Sequence, residues 1–196
     1  ADALFKFFLR NPICQEMGRK FKVSFSSSDE DTGLSYIHDL GFIAKIENKI
    51  RGFKVMLGGG LGSQPRHADE LYSFLPTDQI IPLMEGVLRV FDRHGERKSR
   101  SKARMKFLLK SIGLEAFKTL IETEQQAIEH QSVSINHEHF PISKPVDIEA
   151  PEVEITDQNT YESWKSTNLI PQKQDGFKAI GIKVLLGDFY TDKARA

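Results

Sequence analysis

Residues 54–65, "KVMLGGGLGSQP", place glycines at 58, 59, 60 and 62 directly after an apolar run. No other stretch constrains the fold as much. Glycine loses the most conformational freedom on folding, and it is used where φ must be positive or where a backbone must approach a neighbour closely. Three readings fit: a phosphate cradle, a purely structural turn, or a flat ligand lying on the main chain. A P-loop is excluded, because no G-K-[ST] follows. A dinucleotide fingerprint fits poorly, because Pro65 follows and no helix starts at once. The loop alone leaves the structural turn and the ligand contact equally open.

The rest of the chain reads as α+β, with a mixed or antiparallel sheet and helices packed on it. Leu4, Phe7 and Phe8 give helical spacing over 3–11. "RKFKVSF" (19–25) alternates basic with apolar residues and predicts a strand with one positive face. "GFIAKIEN" and "RGFKVMLGG" predict strands over 42–48 and 51–58, joined by a polar turn at Asn48. An apolar stripe from Ile80 to Phe91 predicts a helix over 77–93, with Thr77 or Asp78 as N-cap and Gly95 as C-cap. Further helices are expected over 99–111 and 114–130. Residues 132–160 hold three prolines and no helical period, which predicts an extended connector. "DGFKAIGIKVLLGDF" (175–189) predicts a strand over 177–186, either on the edge of the main sheet, loosely attached, or swapped onto a neighbour.

Charge narrows the function classes. The chain has 27 Lys+Arg against 27 Asp+Glu, so its net charge is zero. Yet nine of the basic residues fall between Arg89 and Lys110, opposed there only by Asp92 and Glu96. Solvated surface charge, a nucleic-acid contact and a site for a molecule with many carboxylates all account for such a run. Arginine suits the last, because its fork binds carboxylate in bidentate fashion and stays charged when desolvated. No aromatic residues alternate with the basic ones in a stacking pattern, which counts against nucleic acid. On a strand, Lys20 and Lys22 would share a face, where two ammonium groups repel unless an anion lies between them. Edge lysines that discourage aggregation explain that spacing slightly better when it is taken alone.

The single cysteine, Cys14, excludes an internal disulfide and an all-cysteine metal or cluster site, and it fits a reducing, cytoplasmic setting. His130, His137 and His139 lack a further ligand at metal spacing, so no metal site is expected. His38, Asp39 and His94 read as hydrogen-bonded structural residues. No apolar run approaches the roughly 20 residues of a membrane span.

Taken in order, "GRKFKVSFS", "IHDLGFIAKI", "RGFKVMLGGGLG" and "VFDRHGERKSRSKARMKFLLKSIGLEAF" resemble the first central domain of the sirohaem-dependent sulfite and nitrite reductases. "WKSTNLIPQKQDGFKAIGIKVLLGDF" resembles the start of that family's second ferredoxin-like half-domain. The resemblance implies a first domain over 1–131, a connector over 132–160 and the half-domain from 161 to 196. It implies that Gly58, Gly59, Gly60 and Gly62 lie against sirohaem. Arg97, Arg100 and Arg104 match positions around the sirohaem carboxylates and the active-site shell, and Arg19 matches a cofactor-carboxylate contact. Lys20 and Lys22 match the pair that holds the substrate oxyanion and supplies protons.

The implied reaction is six-electron reduction of sulfite to sulfide, or of nitrite to ammonia. Electrons come from a ferredoxin or flavoprotein donor by way of a 4Fe-4S cluster. Neither nucleic acid nor a membrane is implied as a partner. Lys22 is the sulfite-type residue, where many nitrite-type enzymes carry Asn. The four cluster cysteines of the family have no match here, and most of the first half-domain has none either. The expectation is therefore a piece of a longer reductase, inert by itself. A nucleic-acid or anion-binding module built on the 89–110 segment is the alternative.

Overall fold

Two alternating apolar segments around a polar two-residue turn make the spine of the fold. In the computed structural model, β2 (Leu40–Glu47) and β3 (Ile50–Leu57) pair antiparallel, in register from Leu40↔Leu57 to Glu47↔Ile50. Asn48 and Lys49 both take positive φ, 49° and 67°, as a two-residue hairpin turn matched to strand twist requires. β1 (Val23–Ser26) joins β2 in parallel, and β4 (Asp69–Pro76) joins β3 antiparallel. The order is β1-β2-β3-β4, a mixed sheet as expected. The structure describes residues 1–128, 153–172, 175–182, 184 and 190. They fall into two compact units, Ala1–His137 and Glu138–Ala196.

In the first unit, helices cover one face of the sheet: α1 (Asp2–Phe8), α2 (Ile80–His94), α3 (Met105–Ile112) and α4 (Leu114–Ala127). Phe42, Val55 and Leu57 of the sheet are fully buried with Leu83, Val87, Met105, Phe117 and Ile121 of the helices. Each such side chain contributes about 1.5–3 kcal/mol by leaving water. On the opposite face Ile43, Met56, Ala68 and Tyr36 form a small second cluster. No helix of the described residues is long and apolar enough to cross a membrane.

Three differences from the sequence reading matter for the site. First, β1 starts at Val23, so Arg19, Lys20 and Lys22 precede the strand. The cause is local: the Lys22 N–H goes to the Asp39 carboxylate (3.0 Å), and strand pairing begins one residue later. Second, α3 starts at Met105, not near 99. Glu96 accepts from the N–H groups of Lys98 and Ser99, and Arg104 is extended as N-cap, so Arg100 and Arg104 share no helical face. Third, β4 was not anticipated, because in "DELYSFLP" only Leu71 and Leu75 are buried.

Smaller differences follow. α1 stops at Phe8, ahead of Pro12. A 3-10 turn (Thr77–Gln79) leads into α2, whose N-cap is Gln79 without a side-chain bond, while Gly95 is its C-cap as expected.

The second unit holds α5 (Gln158–Asn168), which begins within the stretch read as connector. Its N-cap Asp157 accepts from the Thr160 N–H at 3.1 Å. β5 (Leu169–Pro171) pairs antiparallel with β6 (Lys178–Ile180). The terminal strand thus pairs within its own unit, in a sheet separate from the four-stranded one. The connector from 132 to 152 and most of 183–189 lie outside the described residues.

Candidate functional site

Strand register brings the sequence motifs together. The sheet row Val23↔Leu40↔Leu57 ends the ladder, so Lys22, Asp39 and Gly58 stand side by side just beyond it. Main-chain bonds stitch them: Leu40 N–H to Lys22 O (3.1 Å), and Gly58 N–H to Asp39 O (2.9 Å). "RKFK", "HDL" and the glycine run therefore meet at one end of the sheet.

Crowding accounts for the glycines where they leave β3. Gly58 has φ +80°, and an added Cβ would lie 2.5 Å from Leu109 Cδ2. A Cβ on Gly59 would lie 2.3 Å from the Tyr36 carbonyl oxygen. The N–H groups of Gly58, Gly59 and Gly60 already donate to Asp39 O, His38 O and Arg66 O, each at 2.9 Å. They have no free donor for an anion nest. Gly62 differs: it is exposed, has φ +103° and nothing within 4 Å of its Cβ position. The glycine run thus divides into a structural turn at 58–60 and open backbone at 62.

Two cations that the sequence reading did not single out hold this loop. Lys106 is buried, and its ammonium donates to Leu61 O (3.0 Å) and Gln64 O (2.6 Å). Burial, then the neighbouring Arg104 charge, hold its pKa below the ordinary lysine value. Arg66 donates to Gly58 O (3.0 Å) and pairs with Asp69 (2.5 Å). Gln64, Pro65, Arg66, Lys106, Phe107 and Lys110 line a cavity of about 300 Å³ beside the loop. No sequence signal marks Lys106, since it sits among the apolar residues of α3 like any helix lysine.

The arginines divide into committed and free. Arg104 forks onto Asp39, with Nη2 at 2.9 Å from Oδ1 and 3.1 Å from Oδ2, and Nε at 3.2 Å from Oδ1. This pair is sheltered, the Arg104 side chain 15% and the Asp39 side chain 1% exposed. Arg97 bonds the carboxylate and the carbonyl of Asp92. Arg19 donates to the Arg100 carbonyl oxygen, tying "RKFK" to the basic segment. Arg89 and Arg93 pair with Glu85 and Glu124. Among the described residues, Lys20, Lys22, Lys98, Arg100 and Lys102 are exposed and form no ion pair.

This donor set fits an anion with several carboxylates, or a small oxyanion. Exposed cations without counter-charges stand near one sheet end, and the backbone there is fixed. It does not fit an iron–sulfur cluster. The one cysteine, Cys14, is part-buried and donates its thiol to Phe8 O and Asn11 O, both at 3.2 Å. Among the described residues no group of three or more His, Cys, Asp or Glu could hold a metal.

Residues 2–128 match the family described as "Nitrite and sulphite reductase 4Fe-4S domain". The chain is 33% identical over 118 residues to "Sulfite reductase [ferredoxin] 1" of Mycolicibacterium paratuberculosis, covering 59% of this chain and 21% of that protein. It is 38% identical over 122 residues to "Sulfite reductase [NADPH] hemoprotein beta-component" of Nitrosomonas europaea, covering 58% and 21%. The solved structure of Mycobacterium tuberculosis NirA protein superposes with TM-score 0.56 at 26% identity, over 74% of this chain and 26% of that one. The chain spans about a fifth of the length of the curated relatives it matches.

Proposed function

The chain belongs to the nitrite and sulphite reductase 4Fe-4S domain family, and on that premise we propose that it forms the cationic wall of a sirohaem-dependent site that reduces sulfite to sulfide. In this reading residues 1–131 are the first central domain, and 161–196 open the second ferredoxin-like half-domain. The observation that carries it is the exposed pair Lys20 and Lys22, free of carboxylates on a segment pinned beside the glycine turn.

Sirohaem, when bound, supplies the iron at which the oxyanion is reduced. The chain's own residues supply cations and proton donors around it. Lys20 and Lys22 raise the local concentration of a small oxyanion, and each holds protons at Nζ for the oxygens that leave as water. Arg100, with Lys98 and Lys102, offers exposed charge to cofactor carboxylates. Arg104 and Arg97 act as braces, because Asp39 and Asp92 already occupy them. One cysteine cannot ligate four irons, so the cluster is held by ligands outside these 196 residues. Electrons enter from a ferredoxin or a flavoprotein. A nucleic-acid stripe is the weaker reading, since Arg89, Arg93, Arg97 and Arg104 are spent on carboxylates within the protein.

Sirohaem retention tests the cofactor side. In the complete holoenzyme, Arg100→Ala should lower haem content after gel filtration at moderate salt. Haem content equal to wild type in Arg100→Ala, Lys98→Ala and Lys102→Ala alike would reduce these residues to plain surface charge.

A further inference from the structure

Asp39, read from the sequence as a hydrogen-bonded structural residue, is the most heavily used side chain at this end of the sheet. It is 1% exposed. One oxygen, Oδ2, accepts the Lys22 main-chain N–H at 3.0 Å, and both oxygens take the Arg104 fork. Its carbonyl oxygen receives the Gly58 N–H at 2.9 Å. One residue thus joins the lead-in to β1, the cap of α3 and the start of the glycine turn.

A buried ion pair is a poor device for stability alone. Desolvating both charges offsets most of their attraction, and apolar replacements of similar size are often as stable. What such a pair does supply is a fixed geometry. Here it fixes the backbone of a lysine whose ammonium is exposed and unpaired among the described residues. From these bonds we infer that Asp39 is a positioning residue for oxyanion binding. It acts through the Lys22 N–H, and Arg104 holds the carboxylate in place for that bond. The inference rests on the assignment of Lys22 to the oxyanion.

The test separates the two claims. Asp39→Ala removes both carboxylate oxygens, so the Lys22 N–H and the Arg104 fork lose their acceptor together. Hydrogen exchange of the full chain reads the backbone. The Lys22 amide should exchange about tenfold faster or more in the variant, the equivalent of one lost hydrogen bond. The Gly58 amide, which bonds the main chain, should keep its protection. Unchanged Lys22 exchange overturns the inference.

Kinetics in the complete holoenzyme read the function. Asp39→Ala should lower kcat/KM for sulfite about tenfold, and the same change in a Lys22→Ala background should cost threefold or less. A full, additive loss in that background overturns the positioning role. If Asp39→Ala does not fold, Arg104→Gln enters the same cycle, with coupling to Lys22 expected and additivity fatal. If Lys22→Ala alone leaves kcat/KM unchanged, the oxyanion assignment fails, while hydrogen exchange still judges the hold of Asp39 on Lys22.

Discussion

Gly59→Ala isolates the crowding that makes the glycine run necessary. The added Cβ would meet the Tyr36 carbonyl oxygen at 2.3 Å and the His38 carbonyl oxygen at 2.9 Å. Both are backbone atoms, and both are in use. Tyr36 O accepts the Ala68 N–H, and His38 O accepts the N–H of Gly59 itself. Relief requires moving a strand end against the loop that covers it. Overpacking of this kind costs about 1–3 kcal/mol, and weakening the two bonds adds about 1 kcal/mol each, giving roughly 3–5 kcal/mol in all. For a unit of this size that lowers the melting temperature by roughly 10–20 °C.

Gly60→Ala is the internal control. Its Cβ would lie 3.2 Å from Arg104 Nη2 and from Lys106 Cδ, side-chain atoms that need shift by only a few tenths of an ångström. The cost there is below about 1 kcal/mol, partly offset by a stiffer unfolded chain. Scanning calorimetry of the full chain measures both. A Gly59→Ala transition within a few degrees of wild type, or a Gly60→Ala loss as large, refutes the close-approach argument.

Two further predictions test other parts. The bonds that Ser26 and Ser35 make to Asp31 outweigh its partial burial and hold its pKa below the ordinary carboxylate value; the stabilisation is therefore present at neutral pH and is lost as pH falls through the carboxylate range. Asp31→Asn tolerates the same left-handed backbone (φ 50°), so in urea titrations it should cost about 1–2 kcal/mol at neutral pH and progressively less as the pH falls below the ordinary carboxylate value, whereas a pH-independent difference would contradict the linkage. In the complete holoenzyme, Lys22→Asn should swing the sulfite-to-nitrite ratio of kcat/KM about tenfold towards nitrite, because an amide supplies neither the charge nor the proton that a second lysine brings. An unmoved ratio would remove Lys22 as the discriminating residue.

What the sequence made legible was local. The hairpin of β2 and β3 shows as alternation around Asn48, and α2 and α4 show as apolar stripes, because burial in those elements repeats at the period of the backbone. β4 stayed hidden because its few buried residues are diluted by Asp69, Glu70 and Ser73. The start of α3 was misplaced because its determinants are not in the helix: Glu96 caps the preceding turn, and Asp39 holds the side chain of the extended Arg104 across 65 positions. The residue types gathered at this sheet end stood out in the sequence, since clustered glycines and paired lysines are unusual in these settings. Their division of labour was not. Whether an arginine is free or committed depends on a carboxylate brought in by strand register, and register is a tertiary fact.

The account stands most directly on equilibrium binding of sulfite to the complete holoenzyme. Titration of wild type against the Lys20→Ala/Lys22→Ala double variant compares the same site with and without its unpaired cations. Two lost charge-assisted contacts of about 1.5 kcal/mol or more each predict a dissociation constant raised at least a hundredfold, with a shallower dependence on salt. A dissociation constant and salt slope equal to wild type, at equal sirohaem content, would contradict the claim that this sheet end binds the oxyanion.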